Sequence, residues 1–92
     1  MKFSLQRATD GKHKFVGVFD DTRHIPFGAK GMSDYTIHKN PARRALYLSR
    51  HRARENWNNP QSAGALSRWI LWGNSTSLEQ NVRQFKERFS LS

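Results

Sequence analysis

The sequence predicts an α+β domain: an N-terminal three-stranded antiparallel β-meander followed by two long α-helices and a shorter one. Three observations carry this. Residues 1–27 hold short runs of apolar and β-branched residues separated by the turn signals Asp10-Gly11 and Asp20-Asp21-Thr22. Asn40-Pro41 opens an arginine-rich helical stretch. Leu78, Val82, Phe85 and Phe89 then recur at helical spacing.

Ninety-two residues fit one domain, 1–92. A chain this short buries about two-thirds of its unfolded surface, so its core has little reserve. Aromatic content is 12%, which predicts a core of few residues and many rings: Phe3, Phe15, Phe19, Phe27, Trp57, Trp69, Phe85 and Phe89. The rings are spread evenly, which favours a folded chain despite a mean hydropathy of −0.84. There is no cysteine, hence no disulfide framework and no thiolate metal site. That fits an intracellular setting. No segment approaches the roughly 18 apolar residues of a membrane span, so a soluble protein without membrane insertion is expected.

Taken in order, Phe3–Arg7 alternates as a half-buried strand does. Asp10-Gly11 signals a hairpin, since both residue types tolerate positive φ. Phe15–Phe19 follows, with Gly17 leaving room for a ring or backbone to pack close. The third strand is Arg23–Phe27, an edge strand or one that ends at Pro26, which has no N–H to donate. Residues 28–40 read as a glycine-containing loop and a short helix, with Ser33 as its cap and Asp34 near its N-terminus. The basic helix spans 41–55, with Asn40 as cap and Pro41 at the first position. Its inward face is predicted to be the thin row Ala42, Ala45, Leu46, Ser49 and Ala53. A tryptophan-containing helix covers 61–73, closed by Gly73 in the left-handed conformation. The last helix, 77–89, starts at a Thr76–Glu79 capping box and carries a Glu79–Arg83 pair.

The formal net charge of +9 is large for this length and implies attraction to a polyanion. Its densest expression lies between Lys39 and Arg54. Arg43, Tyr47, Arg50 and Arg54 recur at helical spacing and share one face; Arg44, His51 and Arg52 widen it. Guanidinium forks with a ring among them suit a phosphate backbone. A solvated basic face is the plain alternative, but six cations with no acid before Glu55 favour contact with an anion. Gly28-Ala29-Lys30-Gly31 could offer Lys30 and backbone N–H groups to a phosphate, although a turn needing positive φ twice explains it as well.

His13, His24, His38 and His51 do not pair at ligand spacing, so no metal is expected. The scattered carboxylates argue against a metal-dependent nuclease. His51 and Glu55, four residues apart, are more simply a helix ion pair than an acid–base pair. No catalytic residue and no cofactor is implied. Trp69 reads as core, while Trp72 falls off the apolar stripe and Trp57 sits in a polar loop, which makes these two the candidate docking aromatics.

Several stretches together resemble a known family. These are Phe27-Gly28-Ala29-Lys30-Gly31, Asp34-Tyr35-Thr36-Ile37-His38-Lys39, Arg43-Arg44, Tyr47, Arg50-His51, Glu55-Asn56-Trp57 and Leu66-Ser67-Arg68-Trp69-Ile70-Leu71-Trp72. The family comprises small basic proteins of large nucleocytoplasmic DNA viruses of algae and protists, and of some hosts. The resemblance implies a viral setting, in the host cell or the virion, and carries no catalytic residue.

The sequence thus points to non-enzymatic binding of nucleic acid, DNA or RNA, without strong sequence preference. The residues are Lys39, Arg43, Arg44, Tyr47, Arg50, Arg52 and Arg54, with Lys30 and Arg68 flanking. The alternative is a minor structural protein whose basic face docks an acidic partner such as a capsid subunit, anchored by Trp57 or Trp72.

Overall fold

The computed structural model describes residues 1–92. Strands β1 (Phe3–Arg7), β2 (His13–Phe19) and β3 (Arg23–Ala29) form one antiparallel sheet in the order β1-β2-β3, the expected meander. Phe3 pairs with Phe19, Leu5 with Gly17 and Phe15 with Phe27. Because alternate residues share a face, this register gathers Phe3, Leu5, Phe15, Phe19, Ile25 and Phe27 on one side. At the centre of that face a Cβ on Gly17 would stand 3.1 Å from both the Phe3 ring and Leu66. The strand therefore gives up a side chain to let a helix approach.

The turns differ in detail from expectation. Only Gly11 of Asp10-Gly11 takes positive φ, at 76°; the Asp10 carboxylate instead accepts the Lys12 and His13 N–H groups at 2.9 Å. β3 continues past Phe27 to Ala29, and Pro26 sits on this edge strand, where a missing donor costs little.

The helices follow as α1 (Tyr35–His38), α2 (Pro41–His51), α3 (Ala63–Leu66) and α4 (Leu78–Arg88). Asp34, not Ser33, caps α1, accepting the Thr36 N–H at 2.9 Å. Asn40 caps α2 as expected, through the Ala42 and Arg43 N–H groups. That helix stops at His51, four residues short of Glu55, whose carboxylate lies near His51 and accepts from the Trp57 indole. The expected helix 61–73 is shorter and composite. α3 runs into a π-helical turn, Ser67–Leu71, whose wider winding is marked by the Trp72 N–H bonding Ser67 O at 2.9 Å. Gly73 is not left-handed; it is needed for space, since a Cβ there would lie 2.4 Å from Trp69 O and 2.7 Å from Asn81. Ser77 rather than Thr76 caps α4, and Glu79 makes no ion pair with Arg83.

The core is Phe3, Phe19, Phe27, Leu66, Ile70, Leu71 and Phe85, with Phe15, Trp69 and Phe89 partly buried against it. Each fully buried ring or aliphatic chain contributes about 1.5–3 kcal/mol before the entropy of ordering is set against it. Trp57, expected in the core, lies outside this cluster. The inward face of α2 is also not the predicted one. Ala42, Ala45, Leu46, Ser49 and Ala53 are all exposed, Leu46 by 60%, while Arg44, Tyr47, Leu48 and His51 turn toward the body. Rings and a guanidinium offered better contacts than a row of small side chains could. No helix is long and apolar enough to cross a membrane.

Candidate nucleic-acid interface

Between α2 and the segment that follows β3 lies a groove of about 720 Å³. One wall is α2 with the turn that follows it, presenting Arg43, Tyr47, Arg50 and His51 from the helix and Arg54 from beyond its end. The facing wall is Gly28, Ala29, Met32 and Ser33, and Ser67 with Leu71 lies between them. Gly28 holds φ at 76°, and a Cβ there would meet Leu71 at 2.8 Å, so glycine serves both the left-handed backbone near the end of β3 and the close approach. The Lys14 ammonium bonds the buried Asp34 carboxylate at 2.6 Å, pinning α1 to the sheet at the groove. Neither residue was singled out as a site member. Lys14 was detectable as a cation within a strand that is otherwise mostly apolar.

Arg43, Arg50 and Arg54 are exposed and have no carboxylate partner. Indeed no arginine in the chain forms an ion pair; the four pairs are Lys2–Asp21, His13–Asp10, Lys14–Asp34 and His51–Glu55. The two carboxylates in the groove are occupied. Asp34 takes Lys14 and caps α1; Glu55 accepts the Trp57 indole N–H at 3.1 Å and lies 3.5 Å from His51 Nδ1. The guanidinium groups of the basic wall thus have no acidic partner within the chain.

Other predicted contacts are placed elsewhere. Lys30, Lys39 and Arg52 are exposed but do not line the groove. Lys39 closes α1 at φ 56°, and the Lys30 N–H bonds Lys12 O at 2.9 Å. Arg44 turns inward: its Nε donates to Gly73 O at 2.8 Å and Trp72 O at 3.2 Å, and its Nη2 to Asn74 at 2.9 Å. It closes the carbonyl end of the π-helical turn. Arg68 also donates to Trp72 O, at 3.1 Å, and lies over the rings of Trp57 and Trp69. Burial, then the charges of Arg44 and Arg88, pull its pKa down to about 10. These two arginines serve the fold.

The aromatics are stacked already. His51 lies on Tyr47 with centroids 4.2 Å apart and planes 21° apart. Tyr47 lies on Trp72 at 4.1 Å and 2°. His38 completes the pile at 5.3 Å, tilted by 55°. Burial raises the Tyr47 hydroxyl well above its ordinary range, so it stays protonated. Trp57 and Trp72 are half-buried. Asn81, which sequence reasoning passed over, is fully buried and donates to Ile70 O and Ser75 O while accepting the Ser75 N–H. No three His, Asp or Glu side chains gather closely enough to hold a metal ion.

Compared with known protein families, residues 3–51 match the model of a family of unknown function, DUF5754. The match takes in the sheet, α1 and α2, including Arg43, Arg50 and His51. Neither the curated proteins nor the solved structures contain a match.

Proposed function

The chain belongs to the DUF5754 family of unknown function, a membership that assigns no activity, and we propose that it is a non-enzymatic nucleic-acid-binding protein acting through the Arg43–Arg50–Arg54 wall. One observation carries the reading: three exposed guanidinium groups line one groove with no carboxylate paired to any of them. Unpaired arginines so placed raise the local potential and favour a phosphate backbone, to which they can donate two bonds at once. Contacts of this kind fix position without reading bases, so strong sequence preference is not expected. In the viral setting that the resemblance implies, the task would be to neutralise nucleic acid in the host cell or the particle.

Docking of an acidic protein, such as a capsid subunit, is favoured less. Such an interface needs exposed apolar anchors. Trp57 and Trp72, the expected ones, are half-buried and committed to Arg68 and Tyr47, and the large apolar side chains that are exposed, Met1, Met32, Ile37 and Leu46, include no aromatic ring.

Titrating purified protein against duplex DNA, single-stranded DNA and RNA over a salt series tests the proposal. Three phosphate contacts give a slope of log K against log salt of about −2.7 on duplex and about −2.1 on single strands. Failure to bind any of the three at physiological salt would overturn it.

A further inference from the structure

We infer that the groove takes a single strand, and that one base of it stacks on the free face of His51. The inference rests on the nucleic-acid reading above and names the class of ligand.

Trp72, Tyr47 and His51 form a near-parallel pile, with successive centroids 4.1 and 4.2 Å apart. One end is closed by the tilted His38 ring, against Trp72. The other end is His51, whose side chain is 42% exposed and lines the groove. No aromatic ring other than Tyr47 pairs with His51, so the pile of rings ends there. A pile held rigid by packing and left open at one end is a platform for one more flat ring. The Glu55 carboxylate lies 3.5 Å from the His51 Nδ1.

The neighbours supply the rest of a nucleotide's needs. Arg50 precedes His51, and Arg54 follows within a turn, both exposed along the groove. A base on His51 therefore brings its flanking phosphates beside two unpaired guanidinium groups. A paired base has no free face to offer, because both are stacked within the duplex. Single strands do, and base–aromatic stacking tolerates any base. A strand lying along α2 also fits a concave site better than a rigid duplex, which would touch only its rim.

Anisotropy titrations with a labelled oligothymidine, an abasic strand of equal length and a duplex test this. The oligothymidine should bind about tenfold or more tighter than the abasic strand, as expected for one stacked base. His51→Ala should remove that difference and leave the salt slope unchanged, while His51→Phe should keep it. Equal binding of the thymidine and abasic strands would overturn the stacking inference yet leave the charge-based reading standing. So would a duplex bound as tightly as the single strand. Absence of binding to all three would overturn both. The abasic comparison uses the unmodified protein, so it decides the matter even if a His51 variant folds poorly.

Discussion

Arg43 and Arg44 are neighbours in sequence, yet they face different worlds. Arg43 stands in the groove beside Arg50 and Arg54 with no partner in the chain. Arg44 belongs to a polar hub around residues 70–75, where backbone carbonyls left over from the π-helical turn are met by Arg44, Arg68 and Asn81. In the hub, charge and amide groups satisfy the fold. In the groove, the same chemistry is left unsatisfied. Net charge alone does not separate these uses; the position of each guanidinium does.

The hub should be where the fold breaks most easily. Asn81→Ala removes both donors and the acceptor of a fully buried amide and strands the groups it serves. A loss of about 3 kcal/mol is expected in urea or thermal unfolding. A loss below about 1 kcal/mol would mean the hub is not structural and the contrast fails.

Arg44→Ala against Arg43→Ala tests the contrast between adjacent residues. The first leaves Gly73 O without its side-chain donor, and Trp72 O with Arg68 alone, and should cost about 2 kcal/mol. The second should stay within about 0.5 kcal/mol and weaken nucleic-acid binding instead. Equal effects on stability would erase the distinction.

A smaller effect on folding is expected from Arg50→Ala combined with Arg54→Ala. Exposed charges without partners add little, so stability should move by less than about 1 kcal/mol. The salt slope on duplex DNA should flatten by about 1.8, two phosphate contacts' worth. An unfolded double variant would place these arginines with the hub.

The sheet was legible because its signals are local: alternation in β1, β-branched residues in β2 and turn residues between. Asn40-Pro41 fixed the start of α2 for the same reason. The inward face of α2 was misread because the small-residue row and the Arg44–Tyr47–His51 row both have helical period. What decides between them is the Trp72 ring, twenty-five residues beyond Tyr47 and supplied by another element. The π-helical turn has no local signature either; Gly73 beyond it packs against Trp69 O and Asn81, a contact made with another element. Asn81 left a trace, a polar residue three past Leu78 and four before Phe85, on the buried stripe of α4. Helical spacing put Arg43 and Arg50 on one face, while Arg54 reaches the same groove from beyond the end of α2. That Arg44 turns inward was not visible from spacing.

His38 joins the two regions, and the smallest predicted effect tests that link. Its ring lies against Trp72 at the hub, while its Nδ1 accepts the N–H of Asn40, the residue that caps the groove helix. Nε2 is buried without a partner. Loss of solvation, and then the charge of Arg43, lower its pKa below 6.5, against a smaller opposing pull from Asp34. The unfolded chain therefore binds the His38 proton first as pH falls. Stability should decline from about pH 7 downward through the unfolded value and level off below the folded one. A protonated Nδ1 can no longer accept from Asn40, so the same acidification should loosen the α1–α2 junction. The midpoint of thermal unfolding, followed between pH 7.5 and 5.5, should fall more steeply for the unmodified protein than for His38→Gln, which keeps an acceptor for Asn40 but cannot titrate. Matching pH dependences would show that His38 carries no proton-linked strain, and that hub and groove are joined by packing alone.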